Sequence, residues 1–475
     1  MPSINLGRIG IVNKGDYVGG ATVYKTNDIC KYNNSVYICI QAHSQEHLPT
    51  TNYWKAWIDL TSLQNAIDTK TNNSDLLMAI GNINNPLLDM PLKNSLAMKS
   101  GVGSVTFTRA STATYIDRYG VLKLAGVDTP RFEKQGYLNE GGSTNLLLQS
   151  NDMMASPWVN GIGGFVTQSS DNSTMPFLSD ASIGLNVTKF VATSTPSSLF
   201  SRQTQTLASS TTYTASVFIY VPTTYGLTFS FMVDFSDTYS GTSNTYPTGV
   251  WVRAISTITI TTGSTSNFDF NILLDGVQPI AGDTWYCVAP QLEKLSFATS
   301  YIPTTSSTAT RATDILNVAK DGNIPNIEAN GVISVLCDVD AFGSTGNNQW
   351  VWAIYHADND HIGLVCSDGY IASHITSTTD DETVPISMQS SPKITRRIAQ
   401  VGSNAGHYVY KDGVKIGSKA DADKRITSSG NSSFSTVRIG SYTPTATYAS
   451  NSFHGHISNF RVYDRALTVY EVALA

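Results

Sequence analysis

Apolar and polar residues alternate along most of this chain, with the period of strands that pack one face against a core. Tyr213, Ala215, Val217, Ile219 and Val221 fall at every second position. Leu227, Phe229, Phe231, Val233 and Phe235 do the same, as do Phe268, Phe270, Ile272 and Leu274. Further on, Ile333, Val335, Cys337 and Val339 alternate, followed by Trp350, Trp352 and Ile354. Period-two runs broken by Gly, Pro, Ser and Thr, with no long helical pattern between them, predict an all-β chain of antiparallel sandwiches. Residues 408–416 read as a hairpin whose Asp412-Gly413 pair supplies the positive φ angles of a tight turn. No tandem repeat of short period is present, so a β-helix or solenoid has no support.

Helical spacing is confined to residues 61–85. Leu63, Ala66 and Ile67 form one short run; Ser74 caps a second, Leu76, Leu77 and Ile80, closed by Gly81. Helices this short are marginal alone in water and need a partner surface. Two partners are open: the same helix from sister chains, as in a trimeric coiled coil, or the helices' own domain. The pattern divides the chain into an aromatic-rich unit (1–60), a helical connector (61–89), a β-segment (90–135), a large β-domain (136–312) and a second β-domain (313–475). The 90–135 segment either stands with its neighbour or packs with the C-terminal sandwich, which would make the 136–312 domain an insertion.

Composition narrows the function classes. The 475 residues carry 14% charged side chains and a formal net charge of −6, against roughly 25% charged in ordinary soluble domains. No basic stripe interleaved with aromatics is present, which argues against nucleic acid as a partner. An acidic chain gains nothing from anionic membrane surfaces, and no apolar run approaches the ~18 residues needed to span a bilayer. The start, Met1-Pro2-Ser3-Ile4-Asn5-Leu6-Gly7-Arg8, lacks a basic segment followed by an apolar one, so no signal peptide is expected. A polar, ion-poor surface without a secretion signal fits a virion protein assembled in the host cytoplasm. The five cysteines, Cys30, Cys39, Cys287, Cys337 and Cys366, match no zinc spacing. A two-residue turn at Asn33-Asn34 would place Cys30 opposite Tyr37 and only diagonal to Cys39, too far for an easy disulfide. Five reduced thiols are therefore expected.

Sugar recognition needs aromatic faces with polar groups beside them. Tyr17, Tyr37, Trp54 and Trp57 are the candidates in the first unit, and Trp158 is the candidate in the 136–312 domain. The competing reading makes these rings core. It is favoured slightly for Tyr37, whereas Trp54 and Trp57 are hard to bury together in so small a unit. Trp158 is more ordinarily a packing residue, and Trp251 and Trp285 read as core. The run from His356 to His361 resembles a metal cluster but reads better as a hairpin turn. His454 and His456 would share a strand face, read here as a solvated edge strand. A glycosidase of this architecture would want an E-x-D-x-E strand; the nearest match, Asp338-Val339-Asp340, has no flanking Glu. No G-x-S-x-G or P-loop is present, and no catalytic residues are assigned.

Three stretches carry a resemblance. Residues 104–115, reading SVTFTRASTATY, are followed by Asp117, Gly120, Pro130-Arg131-Phe132 and Thr144-Asn145-Leu146-Leu147-Leu148-Gln149-Ser150. Residues 290–293 read PQLE, 299–304 read TSYIPT, and 310–314 read TRATD. Both resemble ordered signatures of bacteriophage tail and appendage proteins that carry jelly-roll and laminin-G-like heads. Leu138-Asn139-Glu140 departs from the family's usual LIE. Residues 455–468, with Glu471, resemble the last strand of laminin-G-like, concanavalin A-like sandwiches. Gly15, Tyr17, Tyr24, Asp28, Tyr32, Tyr37, Pro49 and Trp54 resemble, more weakly, small chitin-binding modules. The resemblance implies a jelly roll at 136–312 and a laminin-G-like domain at 313–475. It also implies a homotrimeric fibre, attached to other virion proteins through its N-terminal region and binding host-surface polysaccharide without catalysis. Some relatives bind calcium, but no ligand set is identifiable here and no cofactor is assigned. A capsid-anchored head fibre or decoration protein, and a glycan-degrading tailspike, are the alternatives.

Overall fold

The structure is a computed structural model that describes residues 4–6, 9–17, 23–32, 35–40, 42, 54–58, 85–160, 164–174, 180–193, 199–235, 238–325, 332–343, 349–355, 361–367, 370–377, 380–387, 394–403, 406–419, 436–441 and 451–474. It divides into two compact units, 1–84 and 85–475. The helical runs expected between Leu63 and Gly81 lie outside the described residues, as does the stretch 356–360. The end of the expected connector, 85–89, is not helical, because Leu88–Met90 is a strand.

The first unit is a five-stranded sheet in the order Ile4–Leu6, Ile9–Asp16, Asp28–Tyr32, Ser35–Cys39 and Trp54–Ile58. The second and third strands are parallel and the other pairs antiparallel. Cys30 lies opposite Tyr37, and Cys30 and Cys39 are both buried and not joined in a disulfide. Burial and the neighbouring Cys39 push the Cys30 thiol up to about 11.

The second unit holds two sandwiches. In the jelly roll, one sheet runs Val159–Asn160, Leu199–Leu207, Ser264–Leu274, Thr228–Phe235, Tyr239–Ser240; the facing sheet runs Val166–Ser170, Thr188–Ala192, Thr284–Glu293, Thr211–Tyr220, Trp251–Ile260. The alternating apolar residues meet between them: Phe229, Phe231, Val233 and Phe235 face Ala215, Val217 and Ile219, all fully buried. Leu227 breaks the pattern. It precedes the strand that begins at Thr228 and is 84% exposed.

The C-terminal sandwich has a first sheet in the order Arg131–Glu133, Gly136–Asn139, Gly455–Tyr463, Ile333–Ala341, Ile394–Ser403, Gly406–Lys411, Val414–Lys419, with Leu88–Met90 also on Gly455–Tyr463. Its second sheet runs Asp380–Ser387, Tyr370–Ser377, His361–Ser367, Gln349–Tyr355, Thr436–Ile439, Ile315–Ala319, Val105–Thr108. The chain from 88 to 139 therefore supplies strands to both sheets of a sandwich completed by residues 315–463. The jelly roll is inserted between Asn145 and Ala309, which are paired neighbours where the chain leaves and returns. A register shift between Trp350 and Trp352 turns Trp350 away from the core that holds Trp352 and Ile354 and packs it with Ala353 and Val365. Asp412 and Gly413, with φ of 50° and 80°, make the two-residue turn expected of them.

Candidate functional site

The outer face of the first sheet of the C-terminal sandwich is divided by chemistry. Ile333–Ala341 turns Val335, Cys337 and Val339 into the core, which leaves Leu336, Asp338 and Asp340 on the outside. Leu336, Ala399, Val401, Tyr410 and Tyr463 form an apolar half, covered by Leu467 and by Val472 of the helix Val469–Leu474. The rest of the face is polar and is left open among the described residues. It forms a cleft of about 530 Å³ lined by Lys93, Gln135, Asp338, Asp340, Arg397, Asp412, His456 and Ser458, with Val472 at its apolar border. That volume falls within the ~300–1,000 Å³ of ordinary ligand sites.

Sheet register positions these groups. Asp338 is the cross-strand partner of Ser458, and Asp340 that of His456. Asn459, with φ of 52°, forms a bulge in the Gly455–Tyr463 strand, and its amide donates to Asp338 Oδ2 at 2.5 Å. Arg397 Nε donates to Asp338 Oδ1 at 3.0 Å. Lys93 Nζ donates to Ser458 Oγ at 3.1 Å. The Asp412 carboxylate accepts the Arg397 backbone N–H at 3.1 Å. The His456 ring nitrogen Nε2 lies 2.9 Å from Glu133 Oε2, and Nδ1 lies 3.5 Å from Asp340 Oδ2. Burial alone would lower the His456 pKa, but the two carboxylates outweigh it and lift the ring to about 9, so the imidazole is a cation at neutral pH.

The Asp338–x–Asp340 pair does share a strand face, yet both carboxylates are engaged. Asp338 accepts hydrogen bonds on both oxygens, one from a guanidinium, which is a poor setting for a general acid. Among the described residues, no three His, Cys, Asp or Glu side chains are arranged to hold a metal ion.

The aromatic candidates are dispersed. Trp54 is buried, with its ring 4.9 Å from Tyr24 and 6.0 Å from Tyr17. Tyr17 and Tyr37 are half-buried against the same small core. The Trp57 side chain lies outside the described residues. Trp158 is buried on Phe270 and donates from its indole N–H to the Gln149 carbonyl at 3.0 Å, so it belongs to the jelly-roll core and not to a contact surface. Trp285 is core, but Trp251 is half-buried on the outer face of its sheet beside Tyr220. His454 and His456 are not on a solvated edge. The Gly455–Tyr463 strand is central, flanked by Gly136–Asn139 and Ile333–Ala341, and both rings are buried. His454 packs on Phe297, and burial pushes its pKa down to about 4.

The signature residues gather elsewhere, where the chain passes into and out of the jelly roll. Arg131 bridges Glu140 (2.7 Å) and Asp314 (2.5 Å); Arg109 reaches Asp314 at 3.1 Å and Arg311 reaches Glu140 at 3.3 Å, all fully or almost fully buried. Ser300 donates its N–H and hydroxyl to Glu140. Glu140 and Asp314 also exchange hydrogen bonds through the Glu140 N–H and the Asp314 N–H. Burial alone would raise the Glu140 carboxyl, but Arg311, Arg131 and the Ser300 donors hold it well below the usual range. Arg131, which burial would lower, is held above its usual value by Asp314 and Glu140. Asn139, at the departure from LIE, donates to the carbonyls of Gly440 and Phe453 at 2.9 and 2.7 Å. These residues form a buried clasp and offer no open contact surface.

No family model and no curated protein matches the chain. Among solved structures, 30% of the chain is similar to 69% of the native heptameric SAP-like pentraxin from Limulus polyphemus, at 18% identity and a TM-score of 0.25. The same share is similar to 81% of the Ruminococcus gnavus IT-sialidase CBM40, at 17% identity and a TM-score of 0.26. A 34% share is similar to 39% of the binding domain of botulinum neurotoxin DC in complex with SialylT, at 9% identity and a TM-score of 0.27.

Proposed function

We propose that this chain is a structural and adhesive component of a bacteriophage particle, a tail fibre or similar appendage, that binds host-surface glycan without catalysis. The observation that carries the binding reading is the open polar cleft on the C-terminal sandwich. Its lysine, arginine, amide, carboxylate and hydroxyl groups stand on registered strands and short turns, spaced to meet the hydroxyls of a sugar. Solvated contacts of this kind bind weakly one at a time, and several copies on one particle convert weak sites into avidity. The non-catalytic reading is supported by the engagement of Asp338 and Asp340. The phage reading is supported by the ordered signatures between Phe107 and Asp314. A homotrimer, held near residues 61–84 and attached to other virion proteins through its N-terminal unit, completes the proposal. A capsid-anchored head fibre with the same domains is the second reading.

A glycan array probed with the full chain should show retention on host polysaccharide fragments. The same incubation should release no reducing ends, whereas a glycan-degrading tailspike would release them. Retention on no glycan, with host adsorption unchanged when the surface polysaccharide is stripped, would overturn the binding reading. Immunogold labelling of particles separates tail from head attachment.

A further inference from the structure

We infer that the cleft selects acidic saccharides, holding a sugar carboxylate between Lys93 and Arg397. This rests on the reading that the cleft is the glycan site. Most of the cleft's charge is already balanced within the protein. The His456 cation is set between Glu133 and Asp340. Asp338 has one oxygen on Arg397 Nε and the other on Asn459.

Two cationic groups retain spare donors. Arg397 gives its Nε to Asp338, its side chain is 41% exposed, and its two terminal amino groups make no hydrogen bond among the described residues. Lys93 is exposed and uses one of its three N–H donors on the neutral Ser458 hydroxyl. The anchors of these two cations, Asp338 and Ser458, are directly opposed across the sheet. Side chains so opposed stand about 5 Å apart at Cβ, so both cationic heads address one small volume. A guanidinium with two free amino groups matches the two oxygens of a carboxylate, and an ammonium beside it adds a second charge-assisted bond. The facing carboxylate is Asp412, at the rim. It is exposed, so water screens its charge, and one of its oxygens is held by the Arg397 backbone N–H.

The test is calorimetric titration of the full chain with a glucuronate-containing oligosaccharide and with its methyl ester, which keeps the shape and removes the charge. The acid should bind roughly tenfold or more tighter than the ester, as expected for bonds to a charged group, and the preference should shrink as salt is raised. Lys93→Gln, at an exposed position, should lower affinity for the acid by a larger factor than for the ester, so that the acid-to-ester ratio falls. Arg397→Lys should keep part of the preference and Arg397→Gln should lose it. Equal binding of acid and ester, weakened alike by Gln135→Ala and Lys93→Gln, would overturn acid selection and leave glycan binding in the cleft standing. Tight binding of the acid that ignores both Lys93→Gln and Arg397→Gln would overturn the placement. Binding of neither sugar, nor of any host glycan, would remove the underlying reading as well.

Discussion

Replacing Glu140 by Gln tests what the signature residues do. Glu140 Oε2 receives Arg131 at 2.7 Å, Arg311 at 3.3 Å and the Ser300 hydroxyl at 2.6 Å, while Oε1 receives the Ser300 N–H at 2.7 Å. A glutamine must point its NH₂ at one of these sets. Facing Oε1's partner it opposes the Ser300 N–H; facing the other it opposes two guanidinium groups. The clasp as built balances Arg109, Arg131 and Arg311 against Glu140, Asp314 and the nearby buried Glu293, which itself accepts from Ser143 and Thr299. Removing Glu140's charge leaves one buried cation without its counter-ion, and breaking a buried pair in this way costs about 3–5 kcal/mol. Arg131→Met should cost a comparable amount, because the three carboxylates then face only Arg109 and Arg311, and one buried anion is left without its counter-ion. Hydrogen–deuterium exchange read by mass spectrometry on peptides covering 136–146 and 299–314 measures the local opening. Protection there should fall roughly 10²- to 10⁴-fold in Glu140→Gln and by a similar factor in Arg131→Met. A change of less than about fivefold in either variant would refute the clasp as a balanced network.

The two histidines at the head of the Gly455–Tyr463 strand should make stability peak near pH 6.5. His454, whose pKa is lowered to about 4, stays neutral in the fold while the unfolded chain protonates, so stability falls as pH drops from 6.5 towards 4; His456, raised to about 9, contributes stability that is full below 6.5 and lost as pH rises towards 9. Each arm is worth on the order of 3 kcal/mol, and His456→Gln should flatten the alkaline arm of a denaturation midpoint measured against pH. Gly440→Ala should destabilise by roughly 1–3 kcal/mol, because φ is +83° there and a Cβ would overlap the Asn139 amide; a thermal midpoint equal to that of the parent chain would show that the amide has room. Burial raises the thiol pKa at Cys30 and Cys287. Both should resist iodoacetamide at pH 8 in the folded chain and react on unfolding, read by peptide mass spectrometry; rapid native labelling of Cys287 would contradict its burial.

Local patterns were legible in the sequence wherever the backbone alone sets the period. Residues 229–235 and 268–274 alternate because a strand faces one core, and Asp412-Gly413 turns because both residues accept positive φ. What joins to what was harder to read, because pairing over hundreds of residues leaves no local trace. Gly136–Asn139 and Ile333–Ala341 pair with the histidine end of Gly455–Tyr463 from either side, and this makes the strand central and defeats the solvated-edge reading. The cleft was half visible: Asp338, Asp340 and His456 stood out as polar residues on strand patterns. Lys93, Gln135 and Arg397 reach the cleft only through the fold. At Trp54 and Trp158 the large ring that suggests an aromatic platform serves packing instead. Arg109, Arg131, Glu140 and Asp314 stood out as marks of resemblance, and their charge at 0% side-chain exposure is intelligible only once partners nearly two hundred residues apart are brought together.

The insertion also sets how this chain would carry load. Leu88–Met90 and Gly455–Tyr463 are bonded neighbours in one sheet, while the jelly roll leaves and rejoins the sandwich at the paired strands Ser143–Asn145 and Ala309–Arg311. Tension between residue 85 and the chain's last strand would pass through the sandwich alone. The jelly roll would ride beside the line of force as a side branch, its root held shut by the clasp, and would stay folded while the sandwich beneath it was pulled.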